Sequence, residues 1–335
     1  MKPSLTPATP QSKNRVNYID ALKGIAMFLV IWCHTDTLKI DPLTLAWIGN
    51  YTFFFLSGIF FRPIGTKEFF KTRLKYILTP FLIYYLLSIP YNFFYDWCKY
   101  GSIKGFDWQR ILDIFLLEDN SSYLSLNIAL WFLLALFIIQ MAASYIYRLP
   151  KWVVAISALI PFMIGDRLLE IPSLFMINNA CYWYWIFTMG YLIGKPLLGY
   201  LKSTRKAVYV ASSSLCLLAL ILIWISMQAP DWYEEYTMRI LYLTLVIFLV
   251  AGMSFLDKSR AIQRLNYFGA NSLTALGCHL FFLLPISRIC FAISGIHHPM
   301  LGFLYSVVTC VILYPLMGII NKRFPFLAGR NYKRS

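Results

Sequence analysis

Two histidines lie inside apolar stretches of the sequence, where ionisable side chains are rare. His34 ends the stretch RVNYIDALKGIAMFLVIWCH, twelve residues into an apolar run that begins at Leu22. His279 lies twelve residues beyond Tyr267, in the stretch LNYFGANSLTALGCHLFF. Histidine is the side chain best suited to general base catalysis near neutral pH. For His34, a structural hydrogen bond to a neighbouring helix is the alternative interpretation.

Each histidine lies in a run long enough to cross a bilayer as a helix. The first run extends over residues 22–38, and about 20 residues are needed. Hydrocarbon offers no hydrogen-bond partners, so the backbone must bond internally and a helix is required. If both helices start on the same side, each histidine lies roughly 18 Å along its helix. We therefore expect the two histidines at the same depth, whether or not their helices are neighbours.

The composition excludes a soluble globular protein. Of 335 residues, 59% are hydrophobic and 13% are charged, whereas soluble proteins are about half apolar and a quarter charged. We predict an all-α, polytopic transmembrane bundle of about ten helices. Their apolar spans lie near residues 22–38, 43–61, 76–95, 128–147, 152–165, 180–198, 207–227, 238–256, 268–290 and 300–320. The predicted domains are a disordered cytoplasmic tail (1–14), the transmembrane domain (15–320) and a basic cytoplasmic tail (321–335).

The net charge of +15 reports topology rather than a nucleic-acid partner. With the N-terminus in the cytoplasm, the inner segments carry 23 of the 30 basic residues and 3 of the 15 acidic ones. This asymmetry follows the positive-inside rule and places both termini in the cytoplasm. The seven cysteines contain no CxxC pair, so packing explains them better than a metal site.

Several polar and basic residues at the predicted cytoplasmic ends are further candidates. Arg73 and Lys75 belong to a basic segment that suits either lipid headgroups or a phosphate-bearing ligand. Ser57 and Gly58 form a small pair that lets a helix or a ligand approach the backbone closely. The loop over 96–127 places aromatic rings among carboxylates, which suits a carbohydrate or an interfacial aromatic belt.

Five motifs, in order, resemble the acyltransferase 3 family of integral membrane O-acyltransferases. They are RVNYIDALKGIAMFLVIWCH, FFFLSGIFF, FFKTRLKYILTP, ALWFLLAL and YFGANSLTALGCH. Within that family the chain most resembles the branch of fucose 4-O-acetylases and surface-polysaccharide O-acetyltransferases. Two features depart from the family pattern. Lys23 stands where many members have arginine, which removes a bidentate fork, and the tyrosine before the late histidine is replaced near Leu276 and Gly277.

The resemblance implies a multi-pass O-acetyltransferase of the bacterial cytoplasmic (inner) membrane. Its donor would be cytoplasmic acetyl-CoA, a substrate rather than a permanently bound cofactor. Its acceptor would be a sugar hydroxyl of a surface polysaccharide or lipid-linked glycan. His34 would be the general base or a transient acyl carrier, and the oxyanion donors would be His279, Ser57 and Asn271. The CoA phosphates would be bound by a separate basic set, namely Lys23, Arg73 and Lys75.

A glycolipid transporter or flippase, with histidines that relay protons, is the alternative function. Such folds usually carry paired broken helices in two related halves. Pro161 and Pro285 interrupt spans that do not correspond to each other, so the sequence favours the enzyme.

Overall fold

A computed structural model describes residues 16–35, 42–63, 66–101, 108–112, 126–169, 175–226, 231–256, 260–295 and 299–330. This part of the chain is helical and contains no strand, which confirms the predicted all-α class. The helices are α1 (Asn17–Cys33), α2 (Pro42–Ile59), α3 (Thr66–Arg73), α4 (Thr79–Tyr100), α5 (Gln109–Leu112), α6 (Trp131–Ile146), α7 (Lys151–Leu169), α8 (Ile177–Tyr200), α9 (Thr204–Ser226), α10 (Asp231–Phe255), α11 (Arg260–Ala270), α12 (Ser272–Ser294) and α13 (Pro299–Arg323). A π-helical turn, Leu74–Leu78, joins α3 to α4, and short 3₁₀ turns cover Ile128–Leu130 and Pro325–Ala328.

The protein is a multi-pass membrane protein. In the described part of the chain, six helical segments are long and apolar enough to cross a bilayer: Lys67–Cys98, Ile128–Ile146, Thr204–Ile225, Tyr236–Phe255, Ser272–Ile293 and Met300–Arg323. Each of the ten predicted spans overlaps a helix in the described part of the chain, but α1 has only 17 residues and the apolar part of α7 ends at Gly165. The count of ten and the side of each terminus therefore stay predictions.

Helix α1 crosses α11 at backbone contact distance. A Cβ atom built on Gly24 would lie 2.7 Å from the carbonyl oxygen of Leu265, and one on Gly269 would collide with the carbonyl oxygen of Asp20. Only glycine fits at both positions, because the backbone of one helix occupies the space that a side chain would need. The crossing fixes α1, which ends beside His34, against the α11–α12 segment, which carries His279.

Helix α2 crosses α8 in the same way. A Cβ on Gly58 would collide with the carbonyl oxygen of Phe187, and one on Gly190 with that of Phe55. The small pair Ser57–Gly58 was expected to admit a helix or a ligand, and the structure shows that a helix takes this place.

Arg239 of α10 ties three helices together inside the bundle. Its side chain is buried and donates a hydrogen bond to the carbonyl oxygen of Phe162 in α7. The guanidinium carbon also lies 5.5 Å from the ring centroid of Tyr182 in α8 and 5.5 Å from that of Tyr236 in α10. Ring faces and a carbonyl oxygen both stabilise an enclosed cation.

The chain beyond α13 packs back onto the bundle. The Tyr84 hydroxyl donates to the carbonyl oxygen of Leu327 at 3.2 Å. Arg330 donates to the carbonyl oxygen of Ala270 at 3.0 Å and to Oδ1 of Asn271 at 2.8 Å. Residues up to 330 are thus attached to the α11–α12 junction.

Candidate active site

His34 and His279 meet inside the bundle. Their ring centroids lie 5.3 Å apart and the ring planes are inclined by 23°, so the two imidazoles stack. His279 has no solvent-exposed surface. The stacking agrees with the equal depth expected from the sequence, and it shows that the two helices are neighbours at this point.

His34 lies just past the end of α1 rather than within it. The helix ends at Cys33, so the predicted helix over 22–38 extends too far, and residues 36–38 lie outside the described part. The backbone amides of His34 and Thr35 bond to the carbonyls of Ile31 and Trp32 at 3.2 and 3.1 Å. The Thr35 hydroxyl also donates to Trp32 at 2.7 Å. These three-residue bonds and the competing hydroxyl close the helix.

The hydrogen bonds of His279 fix which ring nitrogen carries the proton. Its Nδ1 lies 3.1 Å from the carbonyl oxygen of Ala275 and 3.0 Å from that of Leu276. Because both partners only accept, Nδ1 must be the donor, and the neutral ring keeps a lone pair on Nε2. That Nε2 is buried and has no partner among the described residues. The neutral ring therefore lacks a free N–H for an oxyanion, contrary to the role suggested for His279 by the sequence.

A cavity of about 400 Å³ opens beside His34. It lies between the end of α1, the last turns of α4, helix α5, the residues before α6 and the second half of α12. Its lining is Cys33, His34, Tyr91, Asn92, Tyr95, Asp96, Arg110, Leu126, Asn127, Ile128, Leu280, Phe281, Leu284 and Arg288. The volume falls within the range of about 300–1,000 Å³ that small-molecule sites occupy.

One wall of this cavity is a connected polar network. Arg110 donates to Oδ1 of Asn92 at 2.9 Å and forms an ion pair with Asp96 at 3.4 Å. Asn92 in turn donates to the carbonyl oxygen of Leu126 at 2.9 Å. Asn127 bonds to the Ser88 hydroxyl at 3.2 Å. These mutual bonds hold the polar groups in fixed directions.

The sequence did not single out these wall residues. Asn92 is a polar residue in a predicted apolar span, and its polarity could have marked it as a candidate site residue. Asp96 and Arg110 belong to the loop that was noted as suited to carbohydrate, but nothing in their spacing shows that they pair.

Two of the three predicted phosphate-binding cations, Lys23 and Arg73, lie toward the end of α1 that is opposite to His34. Lys23 precedes His34 by eleven residues, or roughly 16 Å of helix. Its ammonium lies 3.5 Å from Asp20 Oδ1 and 5.6 Å from the Phe60 ring centroid. Arg73 lies 4.6 Å over the Phe69 ring. Phe61, the neighbour of Phe60, packs against Phe69 with centroids 5.4 Å apart, so both cations border the end of α2.

Lys75, the third cation, lies on the π-helical turn and is exposed. The turn has a local cause. Pro80 has no N–H to donate and its ring would clash with the carbonyl four residues earlier, while the Thr79 hydroxyl bonds to the carbonyl of Leu74 at 3.0 Å. Such turns often occur at functional sites.

Asn271 and Ser57 are not brought to the histidines. Asn271 breaks the predicted span 268–290 between α11 and α12, roughly 12 Å of helix from His279. Its side chain donates to the Tyr267 carbonyl at 2.6 Å and accepts from Asn321 at 2.6 Å and from Arg330. Ser57 lies one turn before Phe60, at the Lys23 end of α1. Both assignments as oxyanion donors lack support from this geometry.

Fold and site together define the class: a multi-pass helical membrane protein with a buried histidine pair beside a polar cavity. The family model described as an acyltransferase domain, that of the acyltransferase 3 family, matches residues 16–316. The chain therefore belongs to this family, which makes it a membrane acyltransferase. Searches of curated proteins and of solved structures find no match.

Proposed function

We propose that the protein is an O-acetyltransferase that moves an acetyl group from acetyl-CoA to a sugar hydroxyl of a surface polysaccharide or lipid-linked glycan, in the bacterial inner membrane. One observation carries the proposal. His34 stacks on the buried His279 and lines a cavity whose wall offers amide, carboxylate and guanidinium groups. A base next to a hydroxyl-binding cavity is what acyl transfer to a sugar requires.

His34 is the proposed general base. It accepts the proton of the acceptor hydroxyl while the oxygen attacks the thioester carbonyl carbon. The carbon–oxygen bond forms, the carbon–sulfur bond breaks, and the proton passes from His34 to the departing CoA thiolate. His279 acts as a positioning residue, because its own Nδ1 proton is held by Ala275 and Leu276 and its ring sets the plane of His34.

The donor's phosphates are assigned to the other end of α1. Arg73 is the strongest candidate there, since its buried Nε has no partner among the described residues. Lys23 must share its charge with Asp20, and Lys75 is exposed on the π-helical turn. The acyl arm would then extend along α1 toward His34, so that one helix connects the donor's charged end to its reactive carbon.

The test measures alkali-labile acetate on surface glycans in a strain that lacks the gene. The strain is complemented with wild type, with His34→Ala, or with Arg205→Gln as a control on the exposed part of α9. We expect ester to return with wild type and Arg205→Gln but not with His34→Ala at equal expression. Ester that returns with His34→Ala would refute the base assignment. A change in the amount of glycan without any change in ester would favour the transporter instead.

A further inference from the structure

Arg288 places a second cation on the wall of the cavity beside His34. It belongs to α12, nine residues after His279, or roughly 13.5 Å along the helix. Its guanidinium carbon lies 5.8 Å from the Tyr95 ring centroid, and the side chain is exposed. No carboxylate in the described ranges lies within 4.0 Å of it, whereas Asp20 and Asp96 each meet a cation at that distance.

The other cation of the wall is already neutralised. Arg110 is bound by Asp96 and by the amide oxygen of Asn92. The described lining therefore contains one compensated ion pair and one guanidinium that is left for a ligand. An arginine in this state favours an anion, because its fork matches the two oxygens of a carboxylate or phosphate.

The rest of the lining suits a saccharide. The Tyr91 and Tyr95 rings lie nearly parallel, with centroids 6.2 Å apart and planes inclined by 27°. Ring faces of this kind pack on the apolar face of a sugar, while the Asp96 carboxylate, which faces Arg110 through Oδ2, can accept a hydrogen bond from a sugar hydroxyl through Oδ1. A bare anion would leave these groups unused.

We propose that the acceptor is an anionic saccharide whose carboxylate or phosphate is bound by Arg288 while a hydroxyl faces His34. Arg288 lies roughly 13.5 Å along α12 from His279, which stacks on His34, so the charge is placed away from the reacting carbon, on the far side of the sugar or on its linkage. The reaction at His34 rests on the proposed function, whereas the binding of an anionic sugar does not.

The experiment measures binding to the purified protein in lipid nanodiscs by calorimetry. The probes are glucuronic acid, glucose 1-phosphate, glucose and glycerol 3-phosphate. The variants are Arg288→Gln, Arg288→Lys and the control Arg205→Gln, whose guanidinium lies at the same 5.8 Å from a tyrosine ring, that of Tyr209.

We expect at least one of the two anionic sugars to bind about tenfold more tightly than glucose. Arg288→Gln removes this preference, Arg288→Lys keeps part of it, and Arg205→Gln keeps it. The two sugars distinguish a carboxylate within the saccharide from a phosphate at its linkage.

The proposal is overturned if glucose binds as tightly as both anionic sugars, or if the preference survives in Arg288→Gln. It is also overturned if glycerol 3-phosphate binds as well as glucose 1-phosphate, because the cavity then recognises the anion without the sugar. If the preference holds but His34→Ala restores glycan ester in the complemented strain, the binding site stands and the proposed reaction falls.

Discussion

The close crossing of α1 and α11 is expected to be required for activity. It depends on Gly24, which has no Cβ atom at the contact between the two helices. In Gly24→Ala the new Cβ would lie 2.7 Å from the Leu265 carbonyl oxygen and 3.3 Å from the Gly269 amide nitrogen. Ordinary contact begins at 3.4 Å, so the two helices must separate by about 0.7 Å. Both obstacles are backbone atoms of a helix, so no side-chain rotation can relieve the clash.

This displacement is expected to reach the active site, because α1 ends beside His34 and α11 leads into α12, which carries His279. A misplacement of about 1 Å can cost 10²-fold in rate, so we expect Gly24→Ala to lower the transfer rate about tenfold or more. The strain of overpacking should lower the free energy of unfolding by about 1–3 kcal/mol. The loss of rate would therefore exceed what the loss of folded protein explains.

The assay follows CoA thiol release from acetyl-CoA in the presence of acceptor glycan, using protein in nanodiscs, with thermal unfolding measured in parallel. Gly252→Ala in α10 is the matched control, since a Cβ there meets nothing within 4 Å. It should keep full activity and gain about 0.5–1 kcal/mol of helix stability. Full activity in Gly24→Ala, or equal losses in both variants, would refute the idea that this crossing sets the histidine geometry.

Two further substitutions test the remaining assignments. His279→Phe keeps a ring against His34 and should stay within about tenfold of wild type, whereas His279→Ala should lose about 10²-fold or more; equal losses in turnover assays would show that a nitrogen of His279 acts directly. Arg239→Leu removes the link between α7, α8 and α10, including the hydrogen bond to the Phe162 carbonyl, so it should destabilise the fold by about 1–3 kcal/mol. An unchanged unfolding temperature in nanodiscs would contradict that structural role.

The histidine pair illustrates how far sequence reasoning reaches. Equal spacing from two helix starts predicted the common depth of His34 and His279, because helical rise is uniform. Their contact depends on helix packing, which a hydropathy pattern does not contain. The glycines that create it, Gly24 and Gly269, lie far apart in the sequence and are informative only as a pair.

Two other predictions from the sequence differ from the structure, and each difference has a local cause. The apolar run continues past His34, yet the helix ends because the Thr35 hydroxyl takes the Trp32 carbonyl, an effect that hydropathy ignores. Asn271 belongs to a family motif, and its polarity suggested an oxyanion donor. The structure uses that polarity to bind Asn321 and Arg330 at a helix break.

The early end of α1 also has a chemical consequence. A base that takes a proton becomes an imidazolium, and the C-terminal end of a helix attracts positive charge by about 0.3–1 kcal/mol, and up to about 2 when partly buried. Since about 1.4 kcal/mol corresponds to a tenfold change in rate, this placement can supply about a tenfold share of the 10²–10⁴-fold that a general base contributes. The same histidine one turn earlier would lie inside the helix, away from the free carbonyl end and from the cavity. Ending the helix at Cys33 thus serves the proposed proton transfer as well as the geometry.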